Sequence, residues 1–206
     1  MIPGVTIPKS ETSAPGARNS VRIIAGRWRG RRVTFPDVAG LRPTPDRVRE
    51  TLFNWLQNDI VDSRCLDLFA GSGALGLEAL SRGAREVVFV EPAVAAARGL
   101  REQLAHLGGE RSGRVAEMGA ARYLRTPPPM PFDVVFLDPP FGEDFLAQYV
   151  PVLDTGNWLK IGALVYLENE KSMGAPALPA RWEMLKSKSA GEVGYHLARV
   201  NARVGV

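Results

Sequence analysis

The chain has 206 residues, 45% apolar and 23% charged, the balance of a globular protein of one domain or one domain with a small appendage. That balance excludes a wholly disordered chain, and no apolar run reaches the about 18 residues that a membrane-spanning helix needs. The net charge is +4, and 21 of the 26 basic residues are arginine; one cysteine (Cys65) and two histidines (His106, His196) exclude an internal disulfide and make a metal site unexpected.

The first 19 residues are Pro-, Ser-, Thr- and Gly-rich, lack a signal peptide's apolar core, and read as a disordered tail. Val21 to Gly26 and Arg31 to Phe35 read as two short strands joined by a turn at Arg27-Trp28-Arg29-Gly30. Nine arginines and two acids fall between Arg18 and Arg49, a local balance of +7 that leaves −3 for the rest of the chain. Guanidinium groups bind phosphate bidentately and stack on bases, so this block fits nucleic acid better than a solubilising tail. Leu41 to Pro45 reads as a loop, with Thr44 as N-cap and Pro45 as first residue of a helix reaching Asn58.

From Cys65 onward strands and helices alternate. Strands are expected at Arg64–Phe69, Glu86–Val90, Gly113–Glu117, Phe132–Leu137 and Ala163–Glu168, with helices at Gly76–Ser81, Ala93–Leu107, Ala120–Leu124 and Asp144–Leu153. Trp182–Ser187 and Glu192–Val200 read as a closing hairpin. The alternation implies an α/β protein whose mostly parallel sheet is covered on both faces, with ligands bound beyond the carboxyl ends of the strands.

The first of those strands runs through Asp67, Phe69 and Ala70 into Gly71-Ser72-Gly73-Ala74-Leu75-Gly76. Glycines there permit a tight turn and close approach of a ligand to the backbone. Glu91, followed by Pro92, ends the next strand, where a carboxylate can take both hydroxyls of a ribose. Gly71, Gly73 and Gly76 also match a dinucleotide fingerprint, so the glycines alone leave NAD and S-adenosylmethionine open. Asp67 favours the second, because a carboxylate four residues before the first glycine suits an ammonium and repels a pyrophosphate; the plainer reading is an Asp that fixes the turn by hydrogen bonds.

Asp138-Pro139-Pro140-Phe141 follows an apolar strand. Two prolines cannot extend a central strand, so the chain leaves the sheet at its ligand-bearing edge. Asp138 and the Pro139 carbonyl can accept the two hydrogens of a planar exocyclic amine, and Phe141 can stack on the base; the alternative is a strand terminator with a core phenylalanine.

Asp67 to Gly73, Glu91 and Asp138 to Phe141 together resemble the class I S-adenosylmethionine-dependent methyltransferases that modify exocyclic amines. The stretches Arg22 to Arg31, Leu41 to Thr44, Arg47 to Leu56 and Gly71 to Ala79 narrow the resemblance to the bacterial RsmD family, over roughly residues 21–200. The resemblance implies a Rossmann-like, seven-stranded methyltransferase sheet (residues 45–206), an N-terminal basic hairpin and loop that engage RNA (20–44), S-adenosylmethionine as cofactor, and methyl transfer to N2 of a guanine in small-subunit 16S ribosomal RNA. By matching positions, Asp67, Phe69, Ala70, Gly71, Gly73, Glu91, Pro92 and Asp138 would line the cofactor, and Asp138, Pro139, Pro140 and Phe141 would hold the guanine. Arg22, Arg27, Trp28, Arg29, Arg31, Arg32, Arg42 and Thr44 would meet RNA, with Trp28 either stacking on a base or packing within the hairpin. One departure stands out: where such enzymes commonly carry an Asp or Asn for the adenine, this chain has Gly119 and Ala120, leaving backbone groups or Glu117 to hold it.

Three rivals remain. Adenine-N6 transfer shares the Asp-Pro-Pro-Phe motif. An NAD-dependent oxidoreductase explains the glycines and Glu91 but not Asp67, Asp138 or the basic hairpin. A nucleic-acid-binding module with a vestigial cofactor site leaves the three carboxylates without purpose. The expected setting is a cytoplasmic monomer acting on ribosomal RNA within a small subunit or its precursor, and deletion of Val21–Phe35 is expected to spare cofactor binding and abolish RNA binding.

Overall fold

The computed structural model describes residues 19–36 and 44–203; of the tail expected over 1–19, residues 1–18 lie outside the described residues, as does Arg42, whereas Asn19 opens a strand and not a disordered tail. Seven strands form one sheet: β3 (Arg64–Asp67), β4 (Glu86–Val90), β5 (Gly113–Ala116), β6 (Phe132–Leu137), β7 (Leu159–Glu170), β8 (Trp182–Ala190) and β9 (Val193–Val200). Their spatial order is β5-β4-β3-β6-β7-β9-β8, all parallel except β9, which runs antiparallel to both neighbours. The chain switches direction across the sheet between β3 and β6, and a ligand crevice forms at the carboxyl ends of such a pair.

Strand alternation sorts the core into two layers. Cys65, Val87, Phe89, Val134, Phe136 and Tyr166 point to one face, where α2 (Ala74–Ser81), α3 (Val94–Leu107), α1 (Asp46–Trp55) and a hairpin of β1 (Asn19–Arg22) and β2 (Arg32–Phe35) gather. Leu66, Val88, Val135, Leu137, Val165 and Leu167 point to the other, covered by α4 (Ala120–Tyr123) and α5 (Phe145–Thr155).

The basic hairpin does not stand apart from the sheet domain. Val21, Ile23, Trp28, Val33 and Phe35 are buried in the same core as α1 and α2. Burial of each such side chain stabilises by about 1.5–3 kcal/mol, so deleting Val21–Phe35 would strip the fold and not simply its arginine-covered surface. This sandwiching explains α2, whose eight residues are all buried. Its inner side lies so close to the sheet that a Cβ at Gly76 would run into Phe89, and its outer side carries the hairpin.

Two boundaries differ from expectation for identifiable reasons. Helix α1 starts at Asp46 with Pro45 as its cap residue, and Thr44 does not cap it, because the Thr44 hydroxyl is committed elsewhere. Strand β7 begins at Leu159, four residues early: Gly162 (φ 83°) lets the chain bulge and rejoin β6 with shifted register.

Candidate functional site

Three carboxylates converge at the switch point. Asp67 closes β3 and is buried, its Oδ2 accepting the Gly76 N–H of α2 at 3.0 Å. The plainer reading of Asp67 as a turn-fixing residue is therefore satisfied, but it uses only one oxygen. Burial pushes the carboxyl from 3.8 up to about 7; the Gly76 hydrogen bond opposes the rise, and the Asp138 and Glu91 charges add to it. A buried carboxyl so raised, with acids as its charged neighbours, is a receptive site for a cation.

Between Asp67 and α2 the chain makes the glycine turn. Gly71 (φ 50°) and Gly73 (φ 77°) both hold left-handed backbone, and a Cβ at Gly73 would strike Leu100. Glu91 fastens this turn from the end of β4: one oxygen accepts the Gly71 N–H and the other the Ala93 N–H, both at 2.8 Å. Each oxygen keeps a further lone pair for a hydroxyl donor. Ala70 is buried, its N–H on the Val90 carbonyl at 3.0 Å, while Phe69 is half-buried against Phe145 and Tyr149 of α5. Pro92 is exposed.

Gly119 is the cap residue of α4, with nothing near the position of a Cβ, and Ala120 behind it is buried. Glu117 pairs with Arg101 at 2.7 Å.

Asp138 follows β6 at the same edge. Its Oδ2 accepts the Thr44 hydroxyl at 2.9 Å, fastening the segment before α1 to the Asp-Pro-Pro-Phe turn. Burial lifts the Asp138 carboxyl to about 6, while hydrogen bonds from Thr44 and Glu168 hold it down. Pro139 is buried; Pro140 and Phe141 are exposed, the phenylalanine by 51%. A shallow groove runs beside this turn, lined by Pro139, Phe141, Phe145, Glu168, Asn169 and Met173. Its far wall is anchored by a chain of hydrogen bonds through Ser187, His196, Asn169 and the Gly174 carbonyl.

The hairpin presents Arg22, Arg27, Arg29, Arg31 and Arg32 to solvent. Trp28 differs. It is 7% exposed, its ring abuts Gly109 within the core that also holds Leu104, and the Arg27 guanidinium lies over it at 4.3 Å. A base cannot stack on it without displacing the hairpin, so of the two roles expected for Trp28 the geometry corrects the stacking one in favour of packing. Arg42 lies outside the described residues.

Sequence reasoning missed the scaffold behind the hairpin. Glu78 of α2, fully buried, accepts the Ile24 and Ala25 N–H groups at 2.8 and 3.0 Å and pairs with Arg82 (2.7 Å) and Arg49 (3.5 Å). Ser81 donates to the Ala25 carbonyl and accepts from the Trp28 N–H. The helix that starts in the glycine turn thus ends under the basic hairpin. Cys65, by contrast, is a packing residue: burial lifts its thiol to about 12.

The family described as conserved hypothetical protein 95 matches residues 21–199. Ribosomal RNA small subunit methyltransferase D of Escherichia coli (strain K12) is 46% identical over 183 residues, 89% of this chain and 91% of the relative. The protein of that name from Haemophilus influenzae is 47% identical over 186 residues, 89% of this chain and 95% of the relative. The solved structure of yhhF from Escherichia coli superposes with a TM-score of 0.83 at 44% identity, covering 90% of this chain and all of the other. Fold, glycine turn, carboxylates and similarity agree: the chain belongs to the RsmD family, of the class I methyltransferase fold that uses S-adenosylmethionine.

Proposed function

We propose that the protein transfers a methyl group from S-adenosylmethionine to the exocyclic N2 of a guanine in small-subunit ribosomal RNA. The observation that carries this reading is Asp138, whose carboxylate sits at the switch point, in the same crevice as Asp67 and Glu91, beside an open groove with an exposed aromatic ring. The two relatives described above are named for small-subunit ribosomal RNA, and the arginine-covered hairpin supplies a surface for a phosphate backbone.

The cofactor supplies an electrophilic methyl group on a sulfonium. Asp67 suits the ammonium of its methionine end, and the free lone pairs of Glu91 suit the ribose hydroxyls. The guanine amine is a weak nucleophile, its lone pair delocalised into the ring, so placement is the larger part of catalysis. Thr44 occupies one oxygen of Asp138. The other, with the Pro139 carbonyl, would accept the two amine hydrogens, draw the nitrogen toward a tetrahedral shape and stabilise its developing positive charge. Forming the N–C bond breaks the C–S bond, and the proton then lost from nitrogen passes to Asp138 or to water. A carboxyl at about 6 is mostly ionised at neutral pH and basic enough for that proton. Phe141 would stack on the base, which must leave its own stack to arrive. Such a protein would act in the cytoplasm on free ribosomal RNA or on a subunit particle.

The test is transfer of labelled methyl to small subunits that lack the modification, with free ribosomal RNA and duplex DNA in parallel. Label in N2-methylguanosine supports the reading. Label in N6-methyladenine keeps fold and cofactor and overturns the base.

A further inference from the structure

We propose that Glu168 is a positioning residue for this methyl transfer: it stays protonated and donates its hydrogen to Asp138, keeping that carboxylate ionised and aimed at the amine. The inference rests on the reading of Asp138 given above.

The register of the sheet sets the pair side by side. Phe136 lies opposite Tyr166 and Leu137 opposite Leu167 on the parallel strands β6 and β7, so the next residues, Asp138 and Glu168, face each other at the strand ends. They point to the same side as Phe136 and Tyr166. Glu168 is 3% exposed. Its Oε1 accepts the Tyr166 hydroxyl at 2.6 Å, and the register places it beside Asp138, which accepts the Thr44 hydroxyl.

One proton must sit in this pair. The charged and titratable groups on its face of the sheet are Asp138 itself, Asp67 on β3, Tyr166 on the same strand, Tyr195 on β9 and, one strand further out, Lys188 of β8, whose ammonium lies over the Trp55 ring; among the described residues no cation pairs with either carboxylate. Two adjacent carboxylates without a cation cannot both ionise in a buried site. The proton belongs to Glu168, because its surroundings are the worse for charge: it is the more deeply buried of the two and lies against the neighbouring Asp138 charge, which together push its carboxyl well up. Asp138 keeps the charge because two donors, Thr44 and Glu168, converge on it. Glu168 also lines the groove beside Phe141, so the proton it holds fixes how the base-facing carboxylate is turned.

A protonated glutamic acid and a glutamine offer the same donor and acceptor, and this equivalence is the test. Rates of cofactor consumption are measured across pH for wild type, Glu168→Gln and Glu168→Leu on the same RNA, whichever base receives the methyl. Cofactor affinity and melting temperature are followed alongside. A different base would displace the guanine reading and leave this comparison intact. The proposal expects Glu168→Gln to keep kcat within about threefold and its acidic limb unmoved. It expects Glu168→Leu to lose kcat on the order of 10²-fold, with little change in KM and its acidic limb moved to higher pH. Equal loss in both variants would overturn it, since an ionised Glu168 would then be required; an unaffected Glu168→Leu would overturn it equally. Infrared difference spectroscopy reads the proton without relying on activity or on the leucine variant. A protonated-carboxyl band in wild type at neutral pH that disappears in Glu168→Gln is expected, and its absence from wild type refutes the proposal.

Discussion

Asp67→Asn separates what the fold wants at this position from what the cofactor wants. The Asp67 carboxyl moves from 3.8 to about 7 on folding, so at neutral pH and above the native state must hold a charge that burial opposes. That difference corresponds to on the order of 4 kcal/mol. The sign follows from proton binding. Between the two values the unfolded chain has already released this proton while the folded chain retains it, so stability from this group falls as pH rises from about 4 to about 7. Asparagine carries no such penalty, and its carbonyl oxygen can still accept the Gly76 N–H. Urea denaturation without cofactor should therefore show the variant gaining on wild type by about 2–3 kcal/mol between pH 5 and pH 8. Calorimetry at the higher pH should show it binding S-adenosylmethionine about 10- to 100-fold more weakly, as removal of one charge-assisted hydrogen bond implies. A stability gap that stays flat or reverses with pH would refute the burial argument; unchanged cofactor affinity would remove Asp67 from the ammonium.

Glu78→Ala should destabilise the protein by about 3–5 kcal/mol in urea denaturation, because it leaves two hairpin N–H groups without an acceptor and takes away the buried carboxylate that Arg49 and Arg82 share. A loss below about 1 kcal/mol would mean that the network is solvated. Replacing Arg27, Arg29, Arg31 and Arg32 by alanine should leave the melting temperature and cofactor affinity in place. RNA affinity should fall, and the dependence of log K on log salt should flatten by about 0.7 for each phosphate that the variant no longer neutralises. An unchanged salt slope would move the RNA surface elsewhere. Thr44→Val should raise the pH of the acidic limb of turnover, since Asp138 loses one of the donors that hold its carboxyl down. A pH profile superimposable on wild type would show that this hydrogen bond does not act in solution.

What could be read from the sequence was local in it. Asp67, Gly71, Gly73 and Glu91 each end a strand or make the turn that follows, and a strand end is visible as an apolar run meeting glycine or proline. Asp138-Pro139-Pro140 announced itself the same way. Interactions that depend on distant chain were not legible. Glu78 looks like the outward polar residue of a short helix until the hairpin, more than 50 residues earlier, folds over it. Thr44 has the chemistry of a helix cap and gave up that role to a carboxylate 94 residues away. Trp28 sits in an arginine-rich turn that suggests an exposed stacking ring, yet a gap above Gly109 accepts it. Glu168 required knowing that β6 and β7 are neighbours in register; the alternation of strands and helices hinted at that pairing, but only the sheet fixes it.

The central claim is that Asp138 acts on the amine and not on the cofactor. Single-turnover methyl transfer by Asp138→Ala, measured beside its S-adenosylmethionine affinity, tests this most directly. The account predicts cofactor affinity close to wild type and N2-methylguanosine formation slowed by roughly 10²-fold or more. Wild-type turnover by the variant, or a loss of activity that follows entirely from weakened cofactor binding, would contradict it.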